Sequence, residues 1–345
     1  MRSSLDASVS FGDTLRLVPD WTPHSCCWMA WAFHHEWGSL LRSVKQELHD
    51  LIVTISHYEP VRLLTPAHAV SEAQSRFACR NVEIVSAPVD DIWMRDIAPI
   101  YAMRGNHPVP IDLNFNSWGN SEYRKPRPGD RLASVASDLF GPCVIRAPFI
   151  AEGGAFTIDE NGVVYTTKSC LLHKKRNPNV GSSEIEQALI KLGASKVVWL
   201  EGDEDEMITN GHVDGYVLPT ESGDVLVQTA DREDNALTRS SEVSVIRSVL
   251  HQRNPNTRVV LVSPPVTPDR RDSMFAGSYL NAYAPNGAVI MPAFGDDVRD
   301  FEAKQTMSSA FPDREIVIVR IDSLATGGGG VRCLVQPVPR SPSQD

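Results

Sequence analysis

Two spacings of apolar residues alternate along this chain, and together they predict a unit of helix, strand and polar loop that occurs five times. The helices are predicted at residues 66–79, 129–140, 183–193, 240–252 and 299–311. The strands that follow them are predicted at Val82–Val85, Cys143–Ile145, Lys196–Leu200, Arg258–Val262 and Glu315–Val319. Further strands are predicted at Val163–Thr167, Val225–Gln228 and Gly287–Met291. A strand at Cys27–Phe33 and a helix at Leu40–Ile55 precede the first unit.

The predicted strands recur about every 50–60 residues, a period close to that of radial repeat proteins. No linker separates two domains, so we predict that residues 1–345 form a single catalytic domain of five ββαβ-like units arranged radially. If the loop after each strand faces one central axis, side chains that are far apart in sequence meet there. Those loops contain Asp96, Glu152, His212, Asp214 and Cys333.

Composition and charge narrow the class of protein. Of the 345 residues, 42% are hydrophobic and 22% are charged, as in a soluble globular protein. No apolar run approaches the roughly 18–20 residues of a membrane span, and no secretory signal is visible. We therefore expect no membrane partner and a cytoplasmic location. The net charge of −10 argues against nucleic acid and favours a cationic partner, although many soluble enzymes have such a charge.

The cysteines indicate reduced thiols, because the six of them show no C-x-x-C pairs and no disulfide framework. Cys333 stands apart from the others, which we expect to be buried and structural. It follows Gly327–Gly330, and glycine lets a backbone turn tightly and approach a ligand closely. The glycines lie between two strand-like runs, Glu315–Ile321 and Val331–Val335, which argues against a flexible linker. We place Cys333 at the start of a strand, as a candidate nucleophile.

The remaining candidate side chains are one imidazole and three carboxylates. His212 lies two residues before Asp214, and on a strand the two would share a face, so the carboxylate could orient the imidazole. Asp96 follows an aromatic wall, Trp93, and Glu152 precedes two glycines. Three carboxylates around a thiol suit a planar cation with several N–H donors, since guanidinium matches carboxylates in paired hydrogen bonds. The residues therefore predict a cysteine-dependent enzyme that acts on a guanidino group.

Several motifs, in order over nearly the whole chain, resemble the agmatine deiminase and bacterial-type peptidylarginine deiminase family. They are Trp93–Pro99, Glu152–Gly154 with Thr166–Leu172 and Arg176–Pro178, Asn210–Asp214, Ala293–Asp296 and Gly327–Cys333, with Trp21, Trp28 and Trp31 as an N-terminal motif. The resemblance implies the five-bladed pseudo-symmetric α/β propeller of the guanidino-modifying enzymes. It also implies a hydrolase of C–N bonds in linear amidines that needs no metal and no organic cofactor.

The resemblance also implies a role for each candidate residue. Cys333 is implied as the nucleophile that forms an amidino-cysteine intermediate. His212 is implied as the acid for departing ammonia and then the base for water, with Asp214 as its catalytic neighbour. The implied substrate-binding groups are Asp96, Asp214, Glu152 and Trp93. The implied reaction converts agmatine to N-carbamoylputrescine and ammonia, a step of putrescine and polyamine biosynthesis.

Departures from the family concern the substrate more than the reaction. The family usually has His before the nucleophile, where this chain has Arg332, and Ala32, Ala98 and Val335 are further departures. On a strand, Arg332 would point away from the pocket. Inside the pocket it would lower the pKa of the thiol or bind a substrate carboxylate. Free, peptidyl or specialised-metabolite arginine is therefore an alternative substrate, and amidinotransfer and a non-catalytic binding role are alternative functions.

Two further expectations concern the surroundings of the site. The sequence His34–Glu36 lacks the H-E-x-x-H spacing, so no metal site is predicted there. The segment 114–130 is long, polar and aromatic, and we predict that it forms a lid over the pocket. The expected partner is a small cationic guanidino substrate, and a homodimer is left open.

Overall fold

The computed structural model describes residues 14–78, 80–120, 124–229, 236–253, 255–266 and 274–341. Its helices are α1 (Leu41–Ser56), α2 (Val70–Arg76), α3 (Met94–Ile97), α4 (Ser117–Asn120), α5 (Leu132–Val135), α6 (Ser137–Phe140), α7 (Lys168–Leu171), α8 (Ser182–Lys191), α9 (Ala236–Arg253), α10 (Asp297–Ala310) and α11 (Asp322–Ala325). Its strands are β1 (Leu15–Leu17), β2 (His24–Ala30), β3 (Val61–Thr65), β4 (Val82–Ser86), β5 (Ile100–Arg104), β6 (His107–Asp112), β7 (Ile145–Arg146), β8 (Thr157–Ile158), β9 (Val163–Thr167), β10 (Lys196–Leu200), β11 (Val217–Pro219), β12 (Val225–Gln228), β13 (Val259–Val262), β14 (Ala288–Ala293), β15 (Glu315–Arg320) and β16 (Gln336–Pro339).

The strands pair into five sheets, with the orders β1-β5-β6-β7, β10-β9-β8, β11-β12-β13, β14-β15 and β16-β2-β3-β4. Each sheet contains a parallel pair whose connection includes helix, because parallel strands need a crossover and cannot be joined by a tight turn. These pairs are β3–β4, β6–β7, β9–β10, β12–β13 and β14–β15. The α/β class and the recurring unit are therefore as predicted, and the radial propeller arrangement stays a prediction.

Most predicted helices and strands lie where the pattern placed them. The helix α1 buries Val44, Leu48, Leu51 and Ile55, one face of a helix at spacings of three and four residues. The strand β14 buries all six of its residues, as a parallel strand covered on both faces does. The first, third, fourth and fifth predicted units contain α2, α8, α9 and α10, although α2 ends at Arg76, before the predicted end.

The second predicted unit is less regular than expected. Residues 129–140 form a short 3-10 turn followed by the two four-residue helices α5 and α6. Gly141 follows with φ at +154°, a conformation that favours glycine and ends the helix before Pro142. The strand predicted at Cys143–Ile145 consequently shrinks to Ile145–Arg146, and Cys143 is exposed rather than buried.

The C-terminal strand β16 is an edge strand of the sheet β16-β2-β3-β4, which is called the N-terminal sheet below. β16 runs antiparallel to β2, with Gln336 opposite Trp28. This pairing places the glycine run and Cys333, which lie just before β16, beside the N-terminal sheet. None of the helices in the described ranges is both long and apolar enough to span a membrane.

A buried polar cluster joins the N-terminal sheet to the fourth unit. Glu59 is 1% exposed, and its carboxylate lies 2.9 Å from Nδ1 of His24. The same carboxylate accepts hydrogen bonds from the hydroxyl of Tyr283 and from the backbone N–H of Asn286. One side chain therefore completes the hydrogen bonding of three groups from two distant parts of the chain.

We expect Glu59→Ala to lower the free energy of unfolding by about 3 kcal/mol, because it leaves buried polar partners unsatisfied. Urea unfolding followed by tryptophan fluorescence measures the loss. The matched control is Glu83→Ala, which removes an exposed carboxylate paired with exposed Arg62 and should change stability by about 0.5 kcal/mol or less. Equal losses in the two variants would contradict the assignment of Glu59 as a buried link.

Candidate active site

The predicted site residues meet in an open cleft with a volume of about 830 Å³, a size that suits a small-molecule substrate. Five of the six residues line it: Trp93, Asp96, His212, Asp214 and Cys333. They come from three separate stretches of the chain, so the cleft brings together loops of different units. The sixth residue, Glu152, is fully buried and lies behind this lining.

The glycine run is one wall of the cleft, and its lack of side chains is required by its neighbours. A Cβ atom at Gly327 or Gly329 would overlap the indole of Trp37 or Trp93. A Cβ atom at Gly328 would overlap Ile208, and Gly328 also has φ at +89°. The run therefore lets two tryptophans pack directly against the backbone that leads to the thiol.

Cys333 lies in a 3-10 turn, Arg332–Leu334, so the strand predicted at Val331–Val335 is wrong. The backbone N–H groups of Leu334 and Val335 donate within this turn instead of to a neighbouring strand, and pairing begins only at Gln336. The turn is held by Asn281, whose Nδ2 lies 3.3 Å from the sulfur of Cys333 and whose Oδ1 lies 3.3 Å from its backbone nitrogen.

The surroundings of Cys333 favour the neutral thiol in the free protein. Burial is the largest effect, and the carboxylates of Asp214 and Asp96 add to it, so the pKa of Cys333 is raised well above its usual range. The nearby Asn281 and the backbone of Gly330 counteract this only in part. A bound cation would have the opposite effect, because it would compensate the two carboxylates.

His212 and Asp214 do not share a strand face as predicted. Val213–Gly215 forms a 3-10 turn, in which the N–H of Gly215 donates to the carbonyl of His212 and that of Tyr216 to the carbonyl of Val213. The imidazole nevertheless stays close to the carboxylate, with Nδ1 of His212 4.0 Å from Oδ1 of Asp214. The turn therefore achieves the proximity that was expected of a strand.

The surroundings of His212 favour its protonated form. Burial by itself lowers its pKa, but the carboxylate of Asp96 and the contacts with Cys170 and Glu152 outweigh burial and raise the pKa well above the usual value. Its Nε2 lies 3.5 Å from Oε2 of Glu152. The imidazolium is thus available as a proton donor at neutral pH.

Asp96 is held by donors on both oxygens. Its Oδ1 accepts from the backbone N–H of Gly154 at 2.9 Å, and its Oδ2 accepts from Nε1 of Trp118 at 2.8 Å. Burial and the neighbouring Asp214 and Glu152 carboxylates raise its pKa, although His212 opposes them. Trp118 belongs to the segment predicted as a lid, and its part in holding Asp96 was not foreseen.

Glu152 has a different place from the one predicted, because its carboxylate is already occupied. Nε of Arg176 lies 2.8 and 3.1 Å from the two carboxylate oxygens, and both side chains are fully buried. Arg176 also donates to Oδ1 of Asn210 and to the carbonyl of Thr209, both at 2.8 Å. The pair therefore fastens the loop that bears His212, and Glu152 reaches His212 rather than the open cleft.

Arg332 lies outside the lining of the cleft, as predicted for a strand residue beside Cys333, but it lies in a 3-10 turn and not in a strand. Its Nε donates to Asp20 at 2.7 Å and its Nη1 to Oδ2 of Asp214 at 2.9 Å. Its Nη2 donates to the carbonyl of Phe156. The side chain lines a separate cavity of about 30 Å³ and leaves Oδ1 of Asp214 turned toward His212. A direct contact with substrate is therefore not its role in this structure.

The segment 114–130 is described at 114–120 and 124–130, where it forms a wall of the cleft. Arg124 is buried and donates to Asp91 at 3.0 Å and to Asp130 at 2.8 Å. Its guanidinium lies 5.0 Å from the ring centre of Trp118. These contacts fix the segment beside the cleft, and the closing motion of a lid stays a prediction.

Asn281, Arg176 and Asp20 are contacts that the sequence analysis missed as site residues. Asn281 lies in the loop after the fourth predicted strand, Arg258–Val262, and Arg176 belongs to a motif of the resemblance, so both lie in stretches where the pattern places functional residues. Asp20 precedes Trp21 of the N-terminal motif. The sequence pattern therefore indicated the segments that contain these residues, but it did not predict which side chains they contact.

One set of side chains in the described residues has the composition of a metal site. The ligand atoms of Glu152, Cys170 and His212 lie within 4.8 Å of one another, and all three residues are buried. Because Arg176 takes both oxygens of Glu152, a metal ion would have to displace an ion pair and would lie beside a guanidinium. The donor set therefore fits an ion-paired network better than a metal centre.

Comparison with known proteins agrees with this geometry. A profile described as Porphyromonas-type peptidyl-arginine deiminase matches residues 16–339. The chain belongs to this family. Membership makes it a deiminase, a hydrolase of carbon–nitrogen bonds.

Individual relatives cover nearly the whole chain. An agmatine deiminase of Pseudomonas aeruginosa is 29% identical over 360 residues, which cover 95% of this chain and 97% of the relative. A Legionella pneumophila protein that has agmatine deiminase as a provisional name is 33% identical over 332 residues, which cover 93% of this chain and 94% of the relative. The structure of Enterococcus faecalis agmatine deiminase superposes with a TM-score of 0.85 at 23% identity, covering 96% of this chain and 99% of the other. This last likeness shows the shared α/β fold.

We expect Gly154→Ala to lower kcat/KM for the deimination of a guanidino substrate about 100-fold. The new Cβ would overlap the His212 ring and press on Oδ1 of Asp96. Steady-state kinetics measure the loss, and circular dichroism checks the fold. The control is Gly181→Ala, whose Cβ would meet only Oε2 of Glu184, at an ordinary 3.7 Å. Full activity in Gly154→Ala would mean that this contact does not set the geometry of the site.

We expect the alkylation rate of Cys333 by iodoacetamide to rise about tenfold per pH unit from about pH 7 to 9 in the free protein. The raised pKa keeps most of the thiol protonated in this range, so the thiolate fraction grows with each unit. Peptide mass spectrometry measures the rate, with exposed Cys143 as the internal reference. A plateau for Cys333 below about pH 8 would show that the thiolate is already formed.

Proposed function

We propose that this protein hydrolyses the guanidino group of agmatine to give N-carbamoylputrescine and ammonia, with Cys333 as the nucleophile. The observation that supports it most is the meeting of a thiol, an imidazole and two carboxylates in one cleft. The names of the relatives point to the same substrate. We also propose that the five units form one catalytic domain, arranged as a five-bladed propeller.

The guanidinium would bind between Asp96 and Asp214. Oδ1 of Asp214 is the oxygen that Arg332 leaves without a guanidinium contact, and it is directed toward His212. Asp96 is held rigidly by two N–H donors, so little ordering is needed when the substrate binds. Trp93 lines the same part of the cleft as an apolar wall. Paired N–H···O contacts of this kind are the usual mode of guanidinium recognition.

Binding would also activate the nucleophile. The positive substrate compensates the carboxylates that raise the pKa of Cys333, so the thiol loses its proton to solvent once the cleft is filled. The resulting thiolate attacks the guanidinium carbon, and a tetrahedral intermediate forms. His212 donates its proton to the departing nitrogen, the C–N bond breaks, and ammonia leaves behind an amidino group bonded to Cys333.

Hydrolysis of that intermediate would return the protein to its starting state. Neutral His212 takes a proton from water, and the hydroxide adds to the amidino carbon. The C–S bond then breaks, and the departing Cys333 thiolate takes up the proton of the new hydroxyl group. The carbon keeps one amino nitrogen, the substrate nitrogen and the new oxygen as a ureido group. Glu152, fixed by Arg176, would orient the imidazole through both steps.

The charges that line the cleft favour a tail without a carboxylate. In the described residues, seven carboxylates and three guanidiniums line it. Each guanidinium already has a carboxylate partner: Arg124 with Asp91 and Asp130, Arg127 with Asp91 and Glu36, and Arg239 with Glu242. Among the lining residues that the structure describes, a substrate carboxylate would therefore find no arginine without a carboxylate partner, whereas the ammonium of agmatine would meet an acidic surface.

We expect agmatine to release ammonia with kcat/KM at least about tenfold above that of free arginine and of peptides with C-terminal or internal arginine. Ammonia release by the purified protein, with the four substrates in parallel, measures the order. Cys333→Ala should release none, and acid quenching of the wild-type reaction should trap an amidino adduct on Cys333. A preference for a carboxylate-bearing substrate would replace agmatine by arginine, and an adduct without ammonia release would indicate amidinotransfer.

A further inference from the structure

The wall of the cleft near Tyr216 contains an amide that no part of the proposed chemistry uses. Gln228 is the last residue of β12, is 8% exposed and lines the cleft. Its backbone N–H donates to the carbonyl of Tyr216 at 2.9 Å, and its Nε2 donates to the carbonyl of Gly277 at 3.1 Å. Gln228 is therefore anchored at both ends to other segments of the cleft wall.

Those two segments also supply the guanidino end of the site. Tyr216 lies two residues after Asp214, and Gly277 lies four residues before Asn281, which contacts Cys333. Gln228 thus lies beside the reacting end but contributes no atom to it. If the guanidino group lies between Asp96 and Asp214, the tail of the substrate extends along the rest of the cleft lining, to which Gln228 belongs.

The carboxamide oxygen of Gln228 is without a hydrogen bond. Because the carbonyl of Gly277 can only accept, the amide nitrogen must face it, and this fixes Oε1 on the other side. Within the part of the cleft lining that the structure describes, Oε1 is the one buried side-chain oxygen that has no partner. An unsatisfied buried acceptor is unusual in a folded protein and marks a place where a donor belongs.

The donor that fits is a cation with N–H groups. A basic side chain on this wall is Arg239, whose Cζ lies 3.3 Å from the ring centre of Tyr216 and whose Nη1 donates to Glu242 at 2.9 Å. Its charge is thereby compensated, although its Nε also has no hydrogen-bond partner. An alkylammonium group only donates, so it would satisfy Oε1 in a cleft whose charged lining residues are mostly acidic.

Resting on the guanidino chemistry proposed above, we infer that Gln228 is the specificity-determining residue for the substrate tail. Its Oε1 accepts a hydrogen bond from a primary ammonium at the end opposite the guanidino group. The contact separates agmatine from guanidines of the same length that end in a methyl group. It is a binding contact, and Gln228 takes no part in bond breaking.

The test compares two ligands, agmatine and pentylguanidine, in which a methyl group replaces the ammonium. Binding is measured by calorimetry in the Cys333→Ala background, where no turnover occurs, with and without Gln228→Leu. We expect Gln228→Leu to weaken agmatine about tenfold and to change pentylguanidine less than about twofold, because only agmatine loses a charge-assisted hydrogen bond. Gln228→Glu should increase the preference for agmatine. Gln187→Leu, on the exposed face of α8, is the matched control and should change neither affinity.

Equal weakening of both ligands by Gln228→Leu would show a general effect on the cleft and overturn the inference. Unchanged agmatine binding in a folded Gln228→Leu variant would overturn it as well. Ammonia release by the wild-type protein is measured separately. Its absence would refute the proposed reaction, while the ratio of the two affinities would still decide the role of Gln228.

Discussion

Compensation of buried negative charge is the constraint on which this cleft depends. Three carboxylates lie below the protein surface near one thiol, and an unpaired buried carboxylate is strongly destabilising. The chain meets this cost with fixed partners: Arg176 for Glu152, Arg332 for Asp214, and the N–H groups of Gly154 and Trp118 for Asp96. Among the described residues, Asp96 alone of the three has no ion pair with an arginine. One negative charge is thus left for a protonated imidazole or for a cationic ligand.

The same constraint explains why residues that are distant from Cys333 in sequence take part in the charge network around it. Asp20 lies between the guanidiniums of Arg95 and Arg332, so that two buried cations share one carboxylate before one of them reaches Asp214. The family that this chain resembles usually has His in place of Arg332. Here a longer, permanently charged side chain spans the distance from Asp20 to Asp214. Arg332 thus holds Oδ2 of Asp214 and leaves Oδ1 near the imidazole of His212.

Sequence patterns predicted the fold class and the meeting of the site residues because both follow from repeated features. Apolar periodicity located α1, α8, α9 and α10, and the order of loops after the strands indicated which side chains converge. The path of the backbone at the site was not predictable in this way. Cys333 and Asp214 both lie in 3-10 turns, and segments of five residues are too short for their residue pattern to distinguish such a turn from a strand.

Partner choice was the other part that the sequence could not supply. Whether Glu152 faces a ligand or Arg176 depends on packing between residues 24 positions apart, and the contact of Asn281 with Cys333 spans 52 positions. Similarly, the residues next to Cys143 do not predict its exposure, which follows from the end of α6 before Gly141. Long-range complementarity decides these cases, and a single sequence records only one side of each pair.

The pairing of β16 with β2 affects the order in which the parts of the cleft form during synthesis. During synthesis the chain emerges from its N-terminus, so the imidazole and carboxylates of the cleft leave the ribosome well before Cys333 and the strand that anchors it. The nucleophile can take its place only when the last strand finds a partner made some three hundred residues earlier. The thiol and the wall that the glycine run supplies are therefore completed together, after the other side chains of the cleft have been synthesised.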